Sequence, residues 1–433
     1  MNIVVIGQCT LHWGRMEFGN IGNYYIIEPF FRYIHKVFPN SKVSTTFQMS
    51  DQFCRVEKIK RLPMSIYYGW GDDLIKAEKE LKIAEDYLKT ENISETTEYI
   101  EEVRKADLVI DFSGDIWGDN ADFLGENRFI VGLIKDRVAQ IFAKKCVMIA
   151  GSPGPFNKTK HLQFAKEVYK NFDLVTNREN YSIDILKNYN FDISKTYSLA
   201  CPAFCFEPSP VSKIFDIKEI KNLFDKGRSV IGFLICGWNF PNGPFDKWPR
   251  NDEDYQVFVE AIEKFTDDKD VDIVLMSHSN GFPIPPRQFK LIHGRDYPII
   301  KQLQKILNKR SKVNNLYTLD GIYDAWKTKA ILSQFDMVVS GRVHAAVGAM
   351  SQCVPTVVID YGHEPKAHKL KGFAEVAGQI KYLASPETPN DLLLKMNEAW
   401  RNKVEIEDDL NSKIPEVKKL AKKNFDLIKE LFK

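Results

Sequence analysis

The sequence predicts an α/β protein of two domains, each built on a parallel sheet, and three observations carry that prediction. Short apolar, β-branched runs alternate with segments of helical period, from Met1–Ile6 at the start to Val354–Ile359 near the end, as strands buried on both faces do. A length of 433 residues suits two cores better than one. A Pro-bearing stretch, Glu207–Lys213 with Pro208 and Pro210, separates one βα series from a second that begins at Ser229–Ile235. The expected domains are therefore residues 1–207 and 208–433.

Taken in order, Met1–Ile6 lacks a preceding basic region and reads as a first strand, not a signal peptide. A loop with Gly14, Gly19, Asn20, Gly22 and Asn23 follows and leads into a helix expected near Tyr24. Its spacing is not Gly-x-Gly-x-x-Gly, so no dinucleotide fingerprint is present. Residues 74–105 are charged and helical in period, with Leu74, Ile75, Leu81, Ile83, Ala84 and Leu88 as an uneven apolar face, and read as a surface helical pair or insertion. The strand at Asp107–Phe112 ends in Ser113-Gly114-Asp115-Ile116-Trp117-Gly118-Asp119, where the carboxylates suit either ligand hydroxyls or turn caps. Strands at Cys146–Ala150 and Asp173–Thr176 come next, and the second ends at Arg178, a cation before a helix that faces either the cleft or Glu179.

In the second half, strands are expected at Ser229–Ile235, Val271–Met276 and Leu316–Leu319, with His278 just after one of them as a phosphate ligand or a satisfied turn histidine. The loop Asn239–Arg250 reads as a lid or an acceptor platform. The sharpest pattern is FDMVVSGRVHAAVGAMSQCVPTVVIDYGHEPKAHKLKGF, residues 335–373. Two β-branched runs flank the helical segment Val343–Gln352, so Ser340, Arg342 and His344 sit where a strand ends and a helix begins. In open parallel sheets ligands bind at that edge, and helix N–H groups favour an anion there. The local pattern equally allows an Arg paired with an interdomain carboxylate and a His capping the helix. His363-Glu364-Pro365-Lys366-Ala367-His368 is not a zinc motif, because it has one residue too many and a Pro in the required helix.

The run Ser-x-Arg-x-His, an Ala-rich helix, Val-Pro before a strand, then Tyr361, Lys366 and Gly372-Phe373 resembles the C-terminal signature of the polysaccharide pyruvyl transferases. Upstream, Gly19-Asn20-Ile21-Gly22 resembles the family's Gly-Asn-x-Gly-Asp with Asn23 in place of Asp. Arg178-Glu179 stands where the family has Arg-Asp, and Cys201-Pro202-Ala203-Phe204 where it has Asp-Pro-Ala-Phe. The resemblance implies two Rossmann-like domains facing a central cleft, as in GT-B glycosyltransferases, with a terminal helix braced against the first domain through Leu420, Phe425, Leu427, Ile428 and Leu431. It also implies transfer of a pyruvyl group from phosphoenolpyruvate to sugar hydroxyls as a ketal. Arg178, Ser340, Arg342, His344 and Lys366 would hold the donor, Asn20, Asn23 and Asp115 the acceptor, and Arg342 and His344 would carry catalysis, His344 as acid or base. No step requires a metal or redox cofactor. The alternative is a GT-B glycosyltransferase using a nucleotide sugar, since two facing α/β domains suit that chemistry equally.

Net charge is formally +2, with both signs near balance, which speaks against a nucleic-acid partner or a strongly cationic membrane surface. Seven Cys without a Cys-x-x-Cys pair fit reduced thiols in a cytoplasm. No apolar run approaches the roughly 18 residues of a membrane span. The expected protein is cytoplasmic, with a glycan or glycan precursor as its partner; a lipid-linked acceptor would bring it to a membrane surface.

Overall fold

A computed structural model describes residues 1–7, 20–240, 248–280, 294–361 and 367–433. Among these, the first half forms a seven-stranded sheet from β1 (Asn2–Ile6), β2 (Lys42–Thr45), β3 (Ile59–Arg61), β4 (Leu108–Asp111), β5 (Cys146–Gly151), β6 (Leu174–Asn177) and β7 (Thr196–Ser198). The second half forms a six-stranded sheet from β8 (Ser229–Leu234), β9 (Val271–Leu275), β10 (Leu316–Thr318), β11 (Met337–Ser340), β12 (Thr356–Ile359) and β13 (Leu383–Ala384). The orders are β3-β2-β1-β4-β5-β6-β7 and β10-β9-β8-β11-β12-β13, and neighbouring strands run parallel. Each sheet thus reverses its winding once, between β1 and β4 and between β8 and β11. At those points neighbouring loops splay apart and leave a crevice beyond the strand ends. The architecture is two Rossmann-like sheets facing each other, the α/β arrangement expected.

The helix Ile21–Val37 joins the halves. Tyr24, Ile27, Phe31 and Ile34, at intervals of three and four, are all buried with Tyr25 and Phe30. Phe30 stacks on Phe112, which follows β4, at 4.4 Å between centroids. Tyr25 meets His278, which follows β9, edge-on at 5.4 Å. A backbone bridge between Asn20 and Ser279 closes the contact at its N-terminus.

Three expectations need correction: the start of the first helix, the apolar face assigned within 74–105, and the stripe of the terminal helix. The helix begins at Ile21, not near Tyr24, with Asn20 as its cap. The segment 74–105 forms the expected helical pair, Asp73–Thr90 and Glu98–Arg104; the first lies against Arg128–Phe142 and buries Ala77, Glu80 and Ala84, with Lys135 ion-paired to Glu80 in the interior. Ile75 and Leu88, counted on its apolar face, are 68% and 56% exposed. The stretch Glu207–Lys213 is helical from Val211. The terminal helix runs unbroken as Lys403–Glu430 through Pro415, and Leu420 is 40% exposed. That helix packs on the first half: Phe425 lies against Phe30 and Tyr33 of the helix Ile21–Val37, and Thr176 Oγ1 of β6 donates to Asn424 Oδ1 at 2.6 Å. Asn424 Nδ2 donates to Ala200 O at 3.0 Å, so a buried amide is satisfied from two strand ends at once.

Candidate active site

The Ser340-Gly341-Arg342 turn is fixed by its neighbours. Asn239, buried after β8, accepts from Cys236 N at 2.9 Å and donates to Gly341 O (3.4 Å), Ile359 O (3.2 Å) and Asp360 O (3.4 Å). One amide therefore ties the ends of β8, β11 and β12 together. It leaves no room beside it, since a Cβ on Gly341 would lie 1.9 Å from Asn239 Oδ1. Ser340 spends its hydroxyl on the same turn, accepting from Arg342 N and donating to Arg342 O, both at 3.1 Å.

Arg342 leads the helix Val343–Met350 and forms a two-pronged pair with Asp296, its Nε donating at 3.0 and 3.1 Å and its Nη2 completing the fork. Asp296, buried at the start of the helix Tyr297–Arg310, also accepts from Ser279 N at 2.8 Å and His278 N at 3.2 Å. Arg342 does pair with a carboxylate, but one from its own half and not the interdomain partner that the local pattern allowed. Sequence reasoning passed over Asp296, although Asp-Tyr-Pro before an amphipathic run is a helix-start signature.

His344 points across to the other half. A Cβ on Gly22, in the first turn of Ile21–Val37, would lie 2.8 Å from His344 Cβ and Nδ1, so only glycine lets the helix approach this closely. The ring meets Phe373 edge-on at 5.8 Å, and its Nε2 is buried without a hydrogen-bond partner among the described residues. Burial first, then Arg178 and Lys369, push its pKa well below the ordinary 6.5, while Asp115 pulls it back. The imidazole is neutral. His278 is also neutral, its pKa lowered to about 3 by burial and Arg342, and its Nε2 is likewise orphaned; it is not a satisfied turn histidine.

From the first sheet come Asp115 after β4, Ser152 after β5 and Arg178 after β6. Arg178 is buried, donates from Nε to Ser152 Oγ at 2.9 Å, and sets Nη2 3.5 Å from Asp115 Oδ1. Its alternative partner, Glu179, turns instead to the hydroxyl and N–H of Ser182. Cys201 lies beside Arg178; burial raises its thiol pKa and the guanidinium offsets part of that rise. Asp119 accepts from Lys158 N at 2.8 Å and so serves a turn. Asp115 Oδ2 pairs across the interface with Lys369 of the helix Ala367–Val376. His368, adjacent and buried, has neither ring nitrogen partnered among the described residues, and its pKa falls to about 4 through burial and Lys369.

The structure therefore brings together Arg178, Arg342, His344 and Asp115. Asn20 meets Ser279 through its backbone, and Asn23 lies in the first turn of the same helix, its N–H donating to Asn20 O at 3.0 Å. Lys366 lies outside the described residues.

The family profile described as polysaccharide pyruvyl transferase matches residues 20–363, most of the chain and both sheets' edges. The chain belongs to this family. It is a transferase that modifies polysaccharide. Among curated relatives, the amylovoran biosynthesis protein AmsJ of Erwinia amylovora is 20% identical over 338 residues, covering 77% of this chain and 75% of that one. Among solved structures, a glycosyltransferase from Rickettsia africae covers 100% of the chain and 98% of its own length at 13% identity and a TM-score of 0.56. Anabaena Alr3699/HepE in complex with UDP covers 100% and 99% at 14% identity and 0.56. UDP-GlcNAc 2-epimerase from Neisseria meningitidis covers 100% of both chains at 12% identity and 0.55. These likenesses establish the GT-B fold of the transferase. Lys369 and His368 lie at this candidate site of the pyruvyl transferase family member without a spacing that announced them, and Asn239, expected to open a lid or acceptor platform, is a buried brace, while residues 241–247 of that loop lie outside the described residues.

Proposed function

We propose that this transferase moves a pyruvyl group from phosphoenolpyruvate to two hydroxyls of a glycan or glycan precursor, closing a pyruvate ketal. The observation that carries the reading is the neutral, unpartnered Nε2 of His344 set between Arg178 and Lys369. Burial first, and then both cations, hold the imidazole uncharged. A donor bearing a phosphate and a carboxylate would offset them, raise the basicity of His344, and let it take up a proton just where the donor binds.

The charged imidazole then gives that proton to the donor's methylene carbon, making C3 a methyl group and C2 electrophilic. The first sugar hydroxyl adds to C2 and its proton passes to Asp115; phosphate leaves with the C–O electron pair. The second hydroxyl adds to the same carbon and its proton leaves with the phosphate. Asp115 then gives up its proton to solvent while His344 takes up another for the next turnover, so that two hydroxyl protons are matched overall by one new C–H bond and one protonated phosphate. Arg342, Arg178 and the N–H groups of the helix Val343–Met350 would hold the donor's anionic groups, as preorganised dipoles that act on shifting charge.

The test is phosphate release from phosphoenolpyruvate over a panel of lipid-linked and nucleotide-linked sugars. Release only with an added sugar, and incorporation of pyruvate carbon into it, is the expected result. Release of UDP from a UDP-sugar with no use of phosphoenolpyruvate would replace this reading by glycosyl transfer. Soluble expression and recovery of activity from the cytoplasmic fraction would fit the proposed location.

A further inference from the structure

Asp115 sits between two cations contributed by opposite sheets. Its Oδ1 lies 3.5 Å from Arg178 Nη2, and its Oδ2 pairs with Lys369 Nζ. Arg178 and Lys369 are 2% and 10% exposed at their side chains, whereas Asp115 is 27% exposed, so the carboxylate is the member of the trio that faces outward. A second observation is independent of those ion pairs. His368 neighbours Lys369, Asp115 and Arg178, is buried, and leaves both ring nitrogens without partners among the described residues; His344 Nε2 does the same beside the same three groups. Buried polar atoms are nearly always hydrogen-bonded, so three orphaned ring nitrogens around one ion triad point to a ligand that bonds them.

We infer that Asp115 is a built-in competitor for the donor: it occupies Arg178 and Lys369 until the donor's anionic group takes over both cations and releases Asp115 to the acceptor hydroxyl. This rests on the anionic-donor reading above, and it assigns Lys369 and His368 to donor binding. An ion-paired carboxylate is a weak proton acceptor, and a released one is stronger. The donor therefore binds first, and its arrival creates the base that the acceptor needs.

Removing Asp115 must then help the donor bind, which a merely structural bridge would not do. Calorimetric titration of phosphoenolpyruvate, and separately of inorganic phosphate, into wild type, Asp115→Asn, Lys369→Met and the double variant tests this. Asp115→Asn is expected to bind phosphoenolpyruvate about ten-fold tighter while turnover falls, Lys369→Met about ten-fold weaker, and the double variant to lose the gain. Unchanged or weaker binding in Asp115→Asn, or wild-type binding in Lys369→Met, overturns the inference. Tighter phosphate binding in Asp115→Asn, with no phosphoenolpyruvate binding by any form, would sink the proposed donor and leave the competition standing. Should Asp115→Asn melt below the assay temperature, Asp115→Ser carries the same expectation, and the Lys369→Met arm decides alone if both fail to fold.

Discussion

The two sheets share a strand order but prepare their edges differently. The edge of the second sheet pairs its cation from within: Asn239 binds three strand ends, Ser340 braces its own turn, and Arg342 is matched by a buried Asp296, while the Nε2 atoms of His278 and His344 stay without a partner among the described residues. At the edge of the first sheet Asp115 sits beside Arg178 and also pairs with Lys369 from the other side of the interface. An edge that pairs its cation from within, facing one whose carboxylate pairs across the interface, places the candidate site where the halves meet. The lesson is that an identical winding supplies the crevice, while the pairing of charges within or across it decides which side yields when a ligand arrives.

The contrast can be broken most severely at the imidazole. His344→Gln should reduce turnover by about 10² to 10⁴, the range a positioned proton donor contributes, with donor affinity measured by calorimetry nearly unchanged. Activity within a few-fold of wild type would remove the proposed site.

Arg342→Ala should weaken donor binding and also destabilise the fold by about 3 to 5 kcal/mol, because Asp296 would be left buried and charged without its partner. Arg178→Ala should cost less stability, since Asp115 is part-exposed and keeps Lys369. Chemical denaturation of both variants ranks the edges; the reverse order would show that the first sheet, not the second, is the self-sufficient one.

A glycine pair sharpens the same point. Gly341→Ala drives a methyl group into the locked Asn239 amide and should cost about 1 to 3 kcal/mol together with most activity. Gly114→Ala meets only Arg178 Nη1 at 3.7 Å and pays for its left-handed φ of +65°, about 1 kcal/mol.

The last effect is in pH and is spread over more than two pH units. His368 is held near 4 against an ordinary 6.5, so between those values the folded protein carries fewer protons than the unfolded chain and loses stability as pH falls. Relative to wild type, His368→Asn should gain about 1.4 kcal/mol per pH unit below 6.5, an advantage that stops growing near pH 4. Melting curves from pH 7 to 4 measure it; parallel curves would mean the imidazole charges freely.

Much of this protein was legible in one dimension. The β-branched runs located the strands, because a strand buried on both faces must be apolar throughout, and the Ser-Gly-Arg-Val-His turn announced a cation and an imidazole at a strand end. Local chemistry of that kind is written in neighbouring residues. What pairs with what was not: Arg342 meets Asp296 across 46 positions, and Lys369 meets Asp115 across 254. Such partners are chosen by sheet order and by how the halves close, quantities that no single segment contains. Only the fold could decide that Arg178 faces Asp115 and not Glu179 beside it, because direction in space depends on every strand between them.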